Sequence, residues 1–412
     1  MRTLLLPFFL CLALGPFTRA TAQRARHRAA QDSLTAELES ILHQGYCNGF
    51  GVAIVSPQGV CYQHGFGFAD VQSHKAYDIH TVQPIASVSK TVVGLALLKA
   101  QELGLLNLDD PVNKYLPFPV VNPAFPDVPI TLRHLATHTS SIRDNDFYLS
   151  KNYYLRPGQH VQGPLAFEDM QTFMPADSAV SLAVFLQNVL TPTGKWYQPK
   201  GFFNRRPGEL YDYSNVGTSL AAYVVELASK QPFPTFTSRY LTRPLHMRDS
   251  GWRFADVAFA RHARLYASPA VPLPYYEQAT YPDGGFRSSI ADLSTYLREL
   301  IRGYQGQGTV LQPASYRELF RPELAASNFE DRNERNPYSE SYNVGILMGF
   351  GYTGFIGHTG GDPGVVALLF FDPPSGIGRV MMLNTSYSTA AGEKAMYHIW
   401  RTLEKYQHRV GR

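Results

Sequence analysis

Ser87 and Lys90 stand three residues apart at the head of an apolar stretch, and their types and spacing could make a nucleophile. Residues three apart share one face of a helix, which sets the Lys90 amine beside the Ser87 hydroxyl. The run from Ser87 to about Gln101 reads as that helix, with Val88, Val92, Val93, Leu95, Leu97 and Leu98 over most of its circumference. A helix apolar nearly all round is buried, and burying a serine and a lysine in its first turn is costly unless both are used. The helix N-terminus favours developing negative charge, and desolvation weakens a lysine's hold on its proton. The expectation is an activated serine with an uncharged amine as its base. Alone the spacing decides little. It arises about once by chance in a chain this long, and taken alone an N-cap serine with an exposed lysine is the better explanation.

Other residues could join them. Tyr213-Ser214-Asn215 precedes an apolar helix from about Val216 to Ser229. A tyrosine beside a serine nucleophile can shuttle a proton when cations lower its pKa. Asn215 offers an amide to hold a substrate carbonyl or the Lys90 amine. His134 and His138 are spaced like zinc ligands on a helix, but Leu135 stands where a metalloprotease helix needs glutamate. Packing and hydrogen bonding is the better reading, and no metal is expected. Cys47 and Cys61 flank a hairpin turning at Pro57-Gln58-Gly59. Regular pairing puts Cys61 opposite Ile54, leaving Cys47 roughly 23 Å away at strand rise. A disulfide needs Cα atoms within about 7 Å, so two free thiols are expected.

These residues need a scaffold, and the chain supplies one. Its 412 residues are 44% hydrophobic and 17% charged, which suits a globular protein of one large or two interleaved domains. Arg2, an apolar run from Leu4 to Leu14 and Ala20-Thr21-Ala22 read as an export signal cut after Ala22. Its removal takes the net charge from +4 to about +2, so no nucleic-acid partner is expected, and no stable membrane span remains. The protein is expected to be periplasmic or secreted. A helix capped by Asp32 or Ser33 runs to about His43, and strands follow at Gly51 to Ser56 and Val60 to Phe68. Three further strand-like runs, Phe355 to Thr359, Val365 to Phe371 and Ile377 to Asn384, form a meander. A helix from about Ala390 to Tyr406 closes the chain. Strands at both ends with helices between imply an α+β protein: an antiparallel five-stranded sheet flanked by N- and C-terminal helices, with a mostly helical domain inserted. The sheet domain is assigned to 23–86 and 286–412, and the helical domain to 87–285. The aromatic stretch 143–206 is long and irregular, and reads either as a lid or as interior packing.

Taken together, Ser87-x-x-Lys90, Tyr213-Ser214-Asn215 and His358-Thr359-Gly360 come in the order and spacing of one family. The chain resembles the serine beta-lactamases and penicillin-binding proteins, over about residues 30 to 405, and within them a class C-like branch of esterases and peptidases. The resemblance implies a beta-lactamase/transpeptidase-like fold and no cofactor. It implies that Ser87 is acylated and that Lys90 and Tyr213 share acid and base work. It implies that Asn215 positions Lys90 and the substrate, and that His358, Thr359 and Gly360 line the cleft. The amides of Ser87 and Gly361 would form the oxyanion hole, where one donor is worth roughly 3 kcal/mol.

One departure sets the expected substrate. The family's third-motif lysine is here His358, mostly neutral near pH 7. Its grip on a substrate carboxylate is weaker, which favours a small ester, amide or peptide over a penicillin. The alternatives are a D-alanyl-D-alanine carboxypeptidase, a beta-lactamase, or a penicillin-sensing protein without turnover. An α/β-hydrolase is excluded, since no Gly-x-Ser-x-Gly elbow occurs.

Overall fold

The computed structural model describes residues 16–161, 172–330, 342–351, 354–386 and 390–411. Its longer elements are α1 (Pro16–Leu42), β1 (Gly49–Ser56), β2 (Gly59–Asp70), α2 (Ser89–Glu102), α3 (Asn215–Ser229), α4 (Ile290–Tyr304), β3 (Ile356–Asp362), β4 (Val365–Asp372), β5 (Ile377–Leu383) and α5 (Ala390–Val410). The long strands pair antiparallel in the spatial order β3-β4-β5-β1-β2, so the first and last parts of the chain meet at β1 and β5. β1 is buried along its whole length because it lies between two strands and under helices on both faces.

The sheet is larger than the five strands expected. Among the described residues it has eight, because Asn343–Val344 and Gly349–Phe350 extend the β3 edge and Lys75–Ala76 extends the β2 edge. Two-residue strands carry no hydrophobic period, so periodicity does not reveal them. α4 packs on one face of β1 and β5, and its Ser289 cap accepts from the Asp292 amide. α1 and α5 cover the other face, burying Leu34, Leu38, Ile399 and Leu403 against Val52, Ile54 and Met381. Glu37 ties the two helices through Lys405 at 2.7 Å.

Two further expectations change. α1 already includes Pro16, the first described residue, and does not begin at Asp32 or Ser33, because the intervening alanines, arginines and glutamines are good helix formers. The apolar run Leu4 to Leu14 lies outside the described residues, and Ala20 to Ala22 falls within α1. In the hairpin, Tyr62 and not Cys61 stands opposite Ile54, because the register shifts between Ile54 and Val55. Both cysteines are free, and burial pushes the Cys47 thiol up to about 12.

The main core is continuous from the α4 face of the sheet into the helices. It joins Ala53, Val380 and Leu297 to α2, to α3 and to Phe185 of the helix Leu182–Leu190. α2 runs through it with eleven of its residues buried, as the all-round apolar pattern requires.

Candidate active site

Ser87 sits two residues ahead of α2, in a short 3-10 turn Ala86–Val88, and not in the α-helix itself. Ala86 takes a left-handed φ of 46°, which costs an L-residue roughly 1 kcal/mol or more. That sharp entry leaves Ser87 half-buried while its neighbours are fully buried. Lys90, with no exposed surface, donates from Nζ to Ser87 Oγ at 3.0 Å and to the Asp283 carbonyl at 2.6 Å. Tyr213 completes the group, with its phenol beside Lys90 and Ser87. Its ring centroid lies 5.0 Å from Lys90 Nζ.

The charge on Lys90 differs from the expectation. Burial alone works against its proton, but the Tyr213 oxygen and the Asp283 and Asp144 carboxylates outweigh it, so Lys90 holds its proton more tightly than a free lysine. Burial raises the Tyr213 pKa as well, opposed only in part by Lys90. At rest the site is an ammonium beside a neutral phenol. Desolvation was the one effect visible in the sequence, and the surrounding acids were not.

Asn215 also does something other than expected. Its Nδ2 donates to Asp144 Oδ2 at 2.7 Å, while the contacts of Lys90 go to Ser87, Asp283 and Tyr213. Asp144 also accepts from the amides of Asn215 (3.1 Å) and Val216 (2.9 Å), which seats a carboxylate on the N-terminus of α3. His138 braces the same motif. Its Nδ1 accepts from the Ser214 amide at 3.2 Å, and its ring lies 4.5 Å from that of Tyr213. Burial and the Lys90 charge hold it neutral. His134 and His138 do not share a helical face, since the helix ends at Ala136 and His138 turns to a φ of 55°. Among the described residues no group of three or more His, Cys, Asp or Glu could hold a metal.

β3 brings the third motif to the serine. Gly360 lies against the turn: a Cβ there would be 3.1 Å from the Ser87 amide nitrogen and 2.4 Å from the Ile85 carbonyl oxygen. Only glycine allows the approach. His358 faces Tyr213 with ring centroids 6.1 Å apart, and its Nδ1 contacts the Thr359 carbonyl at 2.5 Å. Burial and the nearby Lys90 ammonium lower its pKa to about 4, so it is neutral at pH 7. Thr359 and Gly361 are exposed on the opposite side of the strand. A cavity of about 1080 Å³ runs along His358, Thr359, Gly360 and Gly361 and over the outer sheet face toward Trp400. Ser87, Lys90 and Tyr213 are not among its walls, so the cavity adjoins the reactive group and does not contain it.

Three acids, Asp144, Asp283 and Asp362, were not singled out from the sequence. Burial lifts Asp283 to about 7 and Asp362 to about 6, each opposed by Lys90. Tyr148 and Tyr153, both from the aromatic stretch, donate to Asp283 Oδ1 at 3.0 Å and Asp362 Oδ1 at 2.7 Å. Part of that stretch therefore packs beneath the site, while 162–171 lies outside the described residues. The only signal available was position, with Asp283 directly before Gly284-Gly285 and Asp362 directly after Gly360-Gly361.

The beta-lactamase family profile matches residues 34–404, a span that holds every part of this group. The chain belongs to the beta-lactamase family. It is 24% identical over 277 residues to Protein flp of Staphylococcus aureus, covering 65% of this chain and 48% of that one. It is 24% identical over 347 residues to Penicillin-binding protein 4* of Bacillus subtilis, covering 78% and 65%. The chain thus spans about half the length of the first of these relatives and about two thirds of the second. Among solved structures, the octameric penicillin-binding protein homologue from Pyrococcus abyssi superposes with a TM-score of 0.65 at 20% identity, over 90% of this chain and 77% of that one. The fold is therefore that of the beta-lactamases and transpeptidases, as the motif order implied.

Proposed function

We propose that this member of the family is a serine hydrolase of the class C-like, esterase or peptidase kind, working through an acyl-enzyme on Ser87. The observation that carries this reading is the buried Lys90 amine 3.0 Å from Ser87 Oγ, with the Tyr213 ring centroid 5.0 Å from that amine. A hydroxyl, an amine and a phenol in mutual contact can pass the serine proton away as Oγ attacks a carbonyl carbon. Tyr213 takes that proton and returns it to the leaving group, with Lys90 holding the phenolate. The amides of Ser87 and Gly361 stabilise the oxyanion. Water then attacks the acyl carbon, with the same phenol as its base.

His358 supports neutral esters, amides or short peptides over anionic penicillins, because an uncharged imidazole offers no fixed cation to a carboxylate. Export belongs to the same proposal. No described helix is long and apolar enough to cross a membrane, and N-terminal sequencing of the expressed protein is expected to read from Gln23. The test of activity compares hydrolysis of short-chain nitrophenyl esters, D-amino acid peptides and penicillins by the wild type and Ser87→Ala. Ester or peptide turnover lost in Ser87→Ala is expected. Faster penicillin than ester turnover would favour the beta-lactamase reading, and stoichiometric labelling without turnover would favour a penicillin-sensing protein.

A further inference from the structure

A recess opens on the sheet beside the reactive group, and strand pairing accounts for it. Across β3 and β4, Gly357 stands opposite Phe370, Thr359 opposite Leu368 and Gly361 opposite Val366. Directly paired residues share one face of a sheet, so two glycines and a threonine lie beside three large apolar side chains. The step in height between the two strands makes a trough on the outer face. α5 packs on β5 and β1, and it meets β4 with Trp400, whose ring lies 6.0 Å from that of Phe370. The space left is the cavity of about 1080 Å³. Small-molecule sites occupy about 300 to 1,000 Å³, so a short ester would leave most of it empty.

The near end of the cavity is Thr359, Gly360 and Gly361, the segment packed on the Ser87 turn. Its floor and far wall include Leu368, Phe370 and Trp400, each partly exposed. A contiguous apolar surface left open in this way marks a binding site. The far wall is braced from behind. Arg379, 1% exposed, sets its Cζ 4.8 Å from the Phe355 centroid and 4.4 Å from that of Trp400, between the two rings. The charges on the walls give no ionic ligand a grip. Among the described residues, Asp212 is paired with Arg143, Glu330 with Arg205, and Glu404 lies 3.7 Å from Arg379. Glu393 and Arg401, one of each sign, are exposed on α5.

We propose that this groove receives an apolar chain of the substrate, so that the compound cleaved at Ser87 is an amphiphilic ester or amide with a medium- or long-chain acyl or alkyl tail. This rests on the acyl-enzyme reading above and adds what the substrate carries. A chain that starts at Gly361 passes Leu368 and then Phe370, two residues or roughly 6.6 Å further along β4. Each methylene buried there is worth about fourfold in affinity.

The test compares kcat/KM of the full-length protein for nitrophenyl butanoate and nitrophenyl octanoate, each below its micelle concentration. Butyl and octyl acetate repeat the comparison with the chain on the alcohol, and so identify which side of the substrate enters the groove. The longer chain should be favoured at least tenfold in one of the two series. Leu368→Trp fills the trough beside Thr359, and Phe370→Ser removes apolar surface further along it. Each should cut that preference at least fivefold. The preference is a ratio within one sample, so partial misfolding lowers both rates and leaves it unmoved, and either variant serves if the other does not fold. Calorimetry of N-methyl octanamide with Ser87→Ala reads the groove without turnover, and adding Leu368→Trp should weaken that binding at least fivefold. A flat ratio in both series overturns the proposal, as does a preference that the folded variants leave unchanged. If the wild type turns over no ester, failure of the amide to bind overturns it. If Ser87→Ala still hydrolyses the esters, or if the amide binds and no ester is turned over, the acyl-enzyme reading fails and the groove stands. If Ser87→Ala is inactive and both ratios are flat, the groove alone is lost.

Discussion

Gly360→Ala should disable the site while leaving the fold nearly intact. The added methyl carbon would lie 2.4 Å from the Ile85 carbonyl oxygen, whereas ordinary contact begins near 3.4 Å. The difference, 3.4 less 2.4, is about 1 Å, and one of the two backbones must yield it. The turn is poorly placed to do so, because the Ile85 amide is bonded to the Phe286 carbonyl at 2.9 Å and the Ile85 carbonyl to the Val88 amide at 3.2 Å. β3 is the partner that yields, because around Gly360 the strand pairing among the described residues ties it to β4 alone, and its retreat draws His358 and the Gly361 amide away from Ser87. A misplacement of about 1 Å costs on the order of 100-fold in rate. Overpacking of this size costs about 1–3 kcal/mol of stability, a few degrees in melting temperature for a chain of this length. The assay pairs kcat/KM for a nitrophenyl ester with a thermal melt. Activity within threefold of the wild type, at an unchanged melting temperature, would refute the claim that this contact sets the cleft.

His358→Lys restores a fixed cation beside the cleft, and should raise kcat/KM about tenfold for a carboxylate-bearing substrate relative to its methyl ester, the effect of roughly 1.4 kcal/mol. A ratio that does not change would remove residue 358 from charge selection. Elsewhere, buried His262 has its pKa lowered to about 3, first by desolvation and then by the Arg287 charge. The unfolded chain therefore binds a proton at this position below about pH 6.5 that the folded chain refuses. The stability it contributes is complete above pH 6.5 and is lost as pH falls toward 3, by about 1.4 kcal/mol per pH unit. In urea unfolding at pH 6, 5 and 4, the stability difference between the wild type and His262→Gln should shrink at that rate, and parallel curves would contradict it.

How much of this the chain disclosed in advance depends on the range of each interaction. The Ser87–Lys90 pair is one turn apart, and local geometry brings it together wherever a helix forms there. α2, α3, α5 and the strands β3 to β5 follow from hydrophobic periods. The two-residue edge strands and the start of α1 lacked such signals. The partner of the Asn215 amide, Asp144, was not legible because it lies 71 residues away with no motif around it.

The amino-acid order alone determined which residues could react, and in what succession the chain presents them. Tertiary packing decided the state in which they are held. Asp144 and Asp283 come from separate parts of the chain to one lysine, and together with Tyr213 they reverse the effect of its burial. A proton's affinity is the sum of every nearby charge acting through space in a medium without water to screen it, and no local spacing records that sum.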